Sequence, residues 1–302
     1  MSSGDDDWAI RHVDVDDAPA QSRVVIAPVG DAITLEVADV GVIDVSKDGC
    51  TIAAATAGLH DQLRAIGEDW ALGQWLAFNG TFAFHGATLE REGFGLALIG
   101  APRAGTSLTA LALARRGWRL IADGTCPLVA DESVDGGEHI VALPGRQRVQ
   151  VDRTITAAFP PDEGCADAGT PRPRSEIPVG STGAHRVDRI ISIVPSNVRR
   201  EGVIVPGDRD GGDPPQILRS CAVVGDALQA TSPHLAERLA SFCDIATHLA
   251  PLDAALVPAG KATFVFSPRQ IADLIDAHVD SIRDAAGDTA GVTAFDTAGG
   301  AS

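Results

Sequence analysis

The alternation of apolar and polar positions predicts a β-rich start to the chain, followed by a helix. Over residues 8–57, short β-type runs are separated by Gly and Asp turn signals, which predicts a small, mostly antiparallel β region. Over residues 59–79, apolar side chains recur near helical spacing, which predicts a helix. We interpret aromatic residues of this helix, such as Trp70 and Trp75, as core residues.

The pattern of apolar and turn residues over 81–123 predicts a β-hairpin that leads into a strand–helix–strand unit. Two apolar runs flank the turn-like EREG, and the second of them, FGLALIG, fits a buried strand. TSLTALALARR is rich in helix formers, and WRLIAD fits a further strand that ends at Asp123. Strand, helix and strand within about 30 residues predict a βαβ unit with adjacent parallel strands.

The second half of the chain alternates loop-like stretches with further elements. Residues 160–186 and 206–215 are dense in Pro, Gly and charge, so they predict long mobile loops. The apolar runs RIISIVP and ATFVFSP predict strands, and two stretches that open with Ser-Pro predict helices. These helices cover residues 232–249 and 267–285.

The charge balance argues against nucleic acid as a partner. The 302 residues include 24 Lys and Arg against 41 Asp and Glu, a net charge of −17, whereas binding to a phosphate backbone needs clustered basic residues. The N-terminus is acidic where a secretory signal is basic, and no apolar run reaches the roughly 18 residues of a membrane span. We expect a cytoplasmic protein without a membrane partner.

Cysteine and histidine spacing predicts no metal site of the zinc type. The five cysteines are scattered without a CxxC pair, and the eight histidines form no HExxH motif. We interpret the cysteines as buried or incidental thiols.

The segment between the predicted strand and helix has the spacing of a phosphate-binding loop. Gly100, Gly105 and Ser107 match GxxxxG-K-[ST] except at the lysine position, which is Thr106. Glycines let the backbone wrap around a phosphate, the helix N-terminus presents unpaired N–H groups, and the serine hydroxyl suits Mg²⁺. The candidate phosphate-binding residues are Gly100, Ala101, Pro102, Arg103, Ala104, Gly105, Thr106 and Ser107.

Asp123 adds a carboxylate to this candidate site. Ligands of open α/β sheets bind at the carboxyl ends of the strands, where Asp123 would orient Mg²⁺ or take a proton from an attacking hydroxyl. The blander alternative stays open: a chain with 32 glycines shows GxxxxG by chance, and Asp123-Gly124 is a simple turn.

These patterns together predict an α/β fold with a P-loop-type sheet and flanking helices. Residues 1–58 are expected to form a small β-rich N-terminal region, and residues 59–285 the domain that carries the loop. Residues 286–302 are small and polar, which predicts a disordered tail.

Residues 70–131 resemble the HPr kinase/phosphorylase-like family, bacterial P-loop kinases that use ATP to phosphorylate a serine. The matching stretches, in chain order, are WALGQWLAF, FAFHGATLE, GFGLALIGAPRAGTS, LTALALARRG and WRLIAD. The resemblance implies ATP and Mg²⁺ as cofactors and a protein or peptide as substrate, and a homo-oligomer stays open.

The resemblance also implies roles for individual residues. Ser107 corresponds to the hydroxyl that holds Mg²⁺, Asp123 to the catalytic base and a metal ligand, and His85 to the histidine before the loop strand. From the residues alone, a lone histidine in an apolar strand is more often a hydrogen-bonded core residue than a participant in chemistry.

The sequence departs from the family pattern at three points. The lysine position is Thr106, the central Ser-Gly of the loop is Pro102-Arg103, and the second aspartate is Gly124. These losses remove a positive charge from the phosphates and a metal contact. Arg103 is either an exposed loop residue or a replacement cation.

Three functions therefore compete. The sequence favours a degenerate relative with weak ATP binding, lost or reduced kinase activity, and a regulatory or accessory role. An active ATP-dependent kinase acting on a serine or other hydroxyl of a protein or peptide, in a peptide-modification pathway, is the alternative. The third is an unrelated α/β protein whose turn resembles a phosphate-binding loop.

Overall fold

The described residues form a mixed α/β fold with three sheets. A computed structural model describes residues 10–14, 24–29, 31–101, 104–132, 137–145, 148–152, 166–167, 174–178, 183–196, 201–208, 212–224, 228, 231–258 and 268–295.

The N-terminal sheet has five strands in the order β1-β5-β4-β3-β2. All its strand pairs are antiparallel except β1 and β5, which confirms the predicted antiparallel region. Its strands are β1 (Ile10–Asp14), β2 (Val24–Val29), β3 (Ala32–Val37), β4 (Gly41–Ser46) and β5 (Gly49–Ala54).

Helix α1 (His60–Phe78) packs between this sheet and the central one. Its residue Leu63 joins the core of the N-terminal sheet with Ile43, while Ala77 joins the core of the central sheet. Trp70 packs against both cores, as expected for a core aromatic residue. Helix α1 therefore connects the two sheets.

The central sheet has eight strands in the order β13-β9-β8-β6-β7-β14-β16-β15, with parallel pairs only at β7–β14 and β14–β16 among the described residues. A small third sheet has the order β10-β12-β11. The strands are β6 (Phe82–Arg91), β7 (Phe94–Ile99), β8 (Arg119–Glu132), β9 (Glu138–Ala142), β10 (Arg148–Asp152), β11 (Ala166–Asp167), β12 (Arg174–Pro178), β13 (His185–Val187), β14 (Arg189–Ser196), β15 (Val203–Pro206) and β16 (Leu252–Pro258).

Helices cover both faces of the central sheet. Leu98 and Leu111 belong to one core, and Phe84 and Phe242 to the other. The remaining helices are α2 (Thr106–Ala114), α3 (Pro214–Ser220), α4 (Pro233–Leu249) and α5 (Pro268–Phe295). The first core includes α2 and α5, and the second includes α1, α3 and α4.

Asp276 fastens helix α5 to the sheet. Its carboxylate accepts hydrogen bonds from Arg91 Nη1 at 2.9 Å, Trp118 Nε1 at 2.8 Å and Arg116 Nη1 at 3.2 Å. The guanidinium of Arg91 also lies 4.8 Å from the centre of the Trp118 ring, within cation–π range. The helix is thus held by charge-assisted bonds as well as by apolar packing.

The predicted βαβ unit needs a correction. Strands β7 and β8 are both antiparallel to β6 and so parallel to each other, but β6 lies between them. The tight turn at Glu92-Gly93, where both residues have positive φ, folds β6 back onto β7, and β8 then pairs with the free edge of β6. Asp123 is also not at a strand end, since β8 continues to Glu132.

Described elements fall within stretches of the second half for which the sequence predicts loops. Strands β11, β12 and β13 fall at least partly within residues 160–186, and α3 begins at Pro214, inside 206–215. Helix α5 continues past Ala286 to Phe295, into the stretch for which the sequence predicts a disordered tail. The predicted strand ATFVFSP lies almost wholly outside the described residues, as do residues 296–302.

Candidate functional site

The candidate loop starts where β7 ends and folds back tightly on itself. The Gly100 N–H donates to the His85 carbonyl at 3.1 Å, and the Ala104 N–H donates to the Ala101 carbonyl at 2.9 Å. A Cβ at Gly100 would lie 2.8 Å from the Ala104 Cβ, so the close approach requires glycine. Pro102 and Arg103 lie outside the described residues.

Gly105 turns the chain into helix α2. Its φ of +90° is left-handed, and a Cβ there would meet no atom within 4 Å, so the space beside it is open. Among the described residues, no side chain caps the helix, whose first backbone bond runs from the Thr109 N–H to the Gly105 carbonyl at 2.9 Å. Thr106 and Ser107, both half-buried, are the first two residues of this uncapped end.

The loop emerges at the carboxyl edge of parallel strands. Ile99, the last residue of β7, pairs with Ser192 of the parallel strand β14. Unpaired N–H groups of a helix N-terminus carry a partial positive charge and favour anions. The edge thus has the local geometry that binds phosphate in α/β proteins.

Asp123 lies level with the carboxyl end of β7, on strand β8, and β6 lies between the two strands. It pairs with Ala87 of β6, which pairs with Leu98 of β7, so its Cα is about 10 Å from that of Leu98. Ala87 and Leu98 both belong to the core that α2 covers, which gives Asp123 the same face by strand register. The Asp123 side chain is buried, with the residue 3% exposed.

Strand β8 bends sharply just after Asp123. Gly124 has a φ of +82°, and a Cβ there would meet no atom within 4 Å. Cys126 Sγ lies 3.9 Å from the Ala122 carbonyl oxygen, although four residues of straight strand span about 13 Å. The bend leaves open space next to the Asp123 backbone.

His85 connects the loop to the rest of the sheet. Its N–H donates to the Cys221 carbonyl at 2.8 Å, its carbonyl accepts the Gly100 N–H, and its partner on β8 is Thr125. Burial lowers the pKa of the half-buried His85 imidazole, and the Asp69 carboxylate opposes that shift only in part. The imidazole is therefore neutral at neutral pH.

Asp69 is a member of this region that the sequence pattern did not reveal. From helix α1, its Oδ1 accepts a hydrogen bond of 3.2 Å from Thr125 Oγ1. Glu68, its neighbour, instead pairs with Arg64 on the outer face at 3.4 Å. The only signal was an acidic pair in an otherwise apolar helix, and periodicity does not say which acid faces inward.

The described residues give little support to a metal centre or to cysteine chemistry. No group of three or more His, Cys, Asp or Glu there is arranged to hold a metal ion. Burial raises the pKa of the Cys50 and Cys243 thiols to about 12, so these thiols are unreactive. In the same part of the chain, no helix combines the length and apolar character that crossing a bilayer requires.

A cleft of about 540 Å³ lies at the opposite edge of the sheet, where β14 and β16 begin. Asp253 in this cleft is nearly buried, and it contacts Arg189 at 3.6 Å and His278 at 2.8 Å. These groups pair with one another and tie α5 to the sheet. The cleft therefore lies away from the candidate site residues that the sequence predicts.

No family model matches the chain, and no curated protein is similar to it in sequence. Among solved structures, the chain is similar to the Hpr(Ser) kinase/phosphatase from Coxiella burnetii, with 13% identity and a TM-score of 0.34. The match covers 68% of this chain and 96% of that one. At this identity and TM-score, the structural similarity is weak.

Proposed function

We propose that the Gly100–Ser107 loop binds the phosphates of a nucleotide, ATP with Mg²⁺, and that kinase activity is lost or reduced. The protein would then serve a regulatory or accessory role as a degenerate relative of the HPr kinase/phosphorylase-like proteins. One observation carries the proposal: the uncapped N-terminus of α2, behind the left-handed Gly105, opens at the carboxyl edge of β7 and β14.

The backbone alone accounts for phosphate binding at this position. The first N–H groups of α2 have no partner within the helix, and no side chain in the described part of the chain caps them. The empty space beside Gly105 gives an anion access to these groups. Neither feature depends on a lysine.

The side chains present fit Mg²⁺ only together with phosphate. Ser107 and Asp123 offer the oxygen ligands that Mg²⁺ prefers, and they are too few to hold the ion without phosphate oxygens. Mg²⁺ bound with the nucleotide would neutralise phosphate charge. The Asp123 carboxylate would also accept the proton of an attacking hydroxyl if transfer occurs.

Reduced transfer follows from what the site lacks. Thr106 places no charge where a lysine stabilises the moving phosphoryl group, and Gly124 supplies no second carboxylate. Charge stabilisation matters more in the transition state than in the bound ground state. Transfer should therefore suffer more than binding.

Two glycines, one on each side of helix α2, provide a test of phosphate binding. Gly105 and Gly117 flank α2, both have φ near +90°, and neither would place a Cβ within 4 Å of another atom. Gly105→Ala and Gly117→Ala therefore impose similar backbone strain, of about 1 kcal/mol. Only the first puts a methyl group into the proposed phosphate cradle.

Calorimetry with Mg·ATP measures the outcome. We expect the unmodified protein and Gly117→Ala to bind alike, and Gly105→Ala to bind at least about tenfold more weakly, a loss of 1.4 kcal/mol. Equal binding by the two variants, or no binding by the unmodified protein, contradicts the proposal. Circular dichroism checks that both variants are folded.

A further inference from the structure

We propose that Gly145, in the segment that joins β9 to β10, is a positioning residue for Asp123. Its backbone holds the bend in β8 and so fixes where the Asp123 carboxylate lies. The inference rests on the proposed function, in which Asp123 helps to hold Mg²⁺ that is bound with the nucleotide, and it adds a residue that acts through this carboxylate.

Two backbone hydrogen bonds bracket the bend in β8. The Leu143 N–H donates to the Pro127 carbonyl at 3.0 Å. The Gly145 N–H donates to the Ile121 carbonyl, also at 3.0 Å. The stretch of β8 between these two acceptors, residues 122–126, is the bend described above. The segment that follows β9 therefore spans the bend and fastens both of its ends.

Gly145 also packs into the bend itself, where a larger residue has no room. A Cβ at Gly145 would lie 2.7 Å from the Ala122 Cβ and 3.2 Å from the Thr125 carbonyl oxygen. The first separation is shorter than Cβ atoms tolerate, and alanine has no flexible end that could move aside. These two neighbours come directly before Asp123 and directly after Gly124, so the Cα of Gly145 packs against both flanks of the bend.

The connection from β9 to β10 leads to the face of the sheet on which Asp123 lies. Val149 of β10 is fully buried in the core that α2 covers, and strand register gives Asp123 the same face. Strand β10 also contacts both α2 and β8. The connection therefore begins at the bend and ends beside the helix whose N-terminus forms the phosphate-binding loop.

The bend needs a restraint from outside because its own sequence supplies little stiffness. Gly124 follows Asp123 directly, and glycine restricts the backbone less than any other residue. A ligand-binding group that shifts by about 1 Å loses much of its effect, so its supporting residues must hold it in place. The contact with Gly145 provides that support.

Gly145→Ala tests the role, because the added methyl group must push the bend or the segment aside. Gly207→Ala is the matched control, since its Cβ would lie 2.7 Å from the Leu252 carbonyl oxygen, a similar collision at the opposite edge of the sheet. Calorimetry with Mg·ATP compares both variants with Asp123→Asn and with the double variant that combines Gly145→Ala and Asp123→Asn. Urea midpoints show which variants are folded.

We expect Gly145→Ala and Asp123→Asn each to weaken Mg·ATP binding by about tenfold. The double variant should bind no more weakly than Asp123→Asn, because the glycine acts only through that carboxylate. Gly207→Ala should bind like the unmodified protein. Independent effects, which would reach about a hundredfold in the double variant, indicate a purely structural role and overturn the inference.

The same titrations separate this inference from the proposed function. If Asp123→Asn binds Mg·ATP like the unmodified protein, there is no carboxylate role to support, and the inference fails while phosphate binding by the backbone stands. If the unmodified protein binds no Mg·ATP, both fail.

A compensating variant tests the contact directly. Ala122→Gly removes the methyl group with which a Cβ at position 145 collides. Combined with Gly145→Ala, it should restore most of the affinity for Mg·ATP. If the combination binds as weakly as Gly145→Ala alone, the contact with Ala122 does not position the bend.

Hydrogen exchange in the unmodified protein provides a test that needs no substitution at Gly145. Coupling between two sites is reciprocal, so a contact that favours Mg·ATP binding must itself be stabilised by Mg·ATP. We expect exchange of the Gly145 amide to slow when Mg·ATP binds, and to slow less in Asp123→Asn at the same saturation. Unchanged exchange in the saturated protein contradicts the inference.

Discussion

The N–H of Gly100 donates a hydrogen bond of 3.1 Å to the carbonyl oxygen of His85. This bond joins the first residue of the candidate loop to the strand that pairs with Asp123 and Thr125. The backbone thus connects the loop to the strand that carries Asp123.

His85 should make the protein less stable in mild acid. Burial lowers its pKa in the folded state below the ordinary value of 6.5. Above pH 6.5 the imidazole is neutral in both the folded and the unfolded chain, so its contribution to the free energy of unfolding is fully present. As the pH falls towards the folded-state pKa, this contribution is lost, because the unfolded chain binds the proton more readily.

The measurement is the urea midpoint at pH 7.5 and pH 5.5. We expect His85→Gln to lose less stability between these values than the unmodified protein loses. His234→Gln, at an exposed position, controls for loss of a histidine. The same drop in His85→Gln and in the unmodified protein contradicts the prediction.

Asp276 should matter more for stability than its neighbour Asp273. The Asp276 carboxylate, on a side chain that is 18% exposed, accepts hydrogen bonds from two arginines and one tryptophan N–H. Asp276→Asn breaks this arrangement, so we expect it to lower the free energy of unfolding by about 2–4 kcal/mol. Asp273→Asn removes one pair, with Arg116, on a side chain that is 68% exposed, and should cost about 0–1 kcal/mol. Chemical denaturation of both variants gives the comparison, and equal losses would refute the assigned role.

Phosphoryl transfer should return only when both missing groups are restored. Thr106→Lys supplies the charge that stabilises the phosphoryl group, and Gly124→Asp supplies a carboxylate. Because Gly124 has positive φ, aspartate is among the side chains that tolerate the position best. We expect ATP turnover in the double variant to exceed that of either single variant, measured as release of labelled phosphate.

Arg103 provides the test of an active enzyme. If the unmodified protein turns over ATP at an ordinary kinase rate and Arg103→Ala abolishes it, Arg103 is the replacement cation and the degenerate assignment is wrong. We expect no such rate and little effect of the substitution on Mg·ATP binding. Rapid quench of labelled ATP distinguishes the two results.

Sequence patterns predicted the local elements well because periodicity and turn residues act over short distances. Helix α1, the β6–β7 hairpin around Glu92-Gly93 and the start of α2 all follow from such signals. The position of β8 beside β6 could not be predicted, because either edge of β7 or β6 offers the same backbone groups. That choice depends on packing of the whole sheet.

Contacts between distant segments also limit what the sequence predicts about the candidate site. The glycine spacing predicted the loop, and Asp123 was predicted from its place at the end of the apolar run WRLIAD. The bond between Asp69 and Thr125 joins residues 56 positions apart on a helix and a strand. Nothing in the local pattern of either segment specifies that contact, which arises only when α1 packs on the sheet.

We propose that the loop binds phosphate through its backbone and lacks the cation that a lysine would supply. Titration of Mg·ATP into the unmodified protein, Thr106→Lys and the uncharged control Thr106→Met tests this proposal. A charge-assisted hydrogen bond to phosphate contributes about 1.5–3 kcal/mol, so we predict roughly ten- to a hundredfold tighter binding for Thr106→Lys alone. Equal affinity in all three proteins, or the same gain with methionine, would contradict the account.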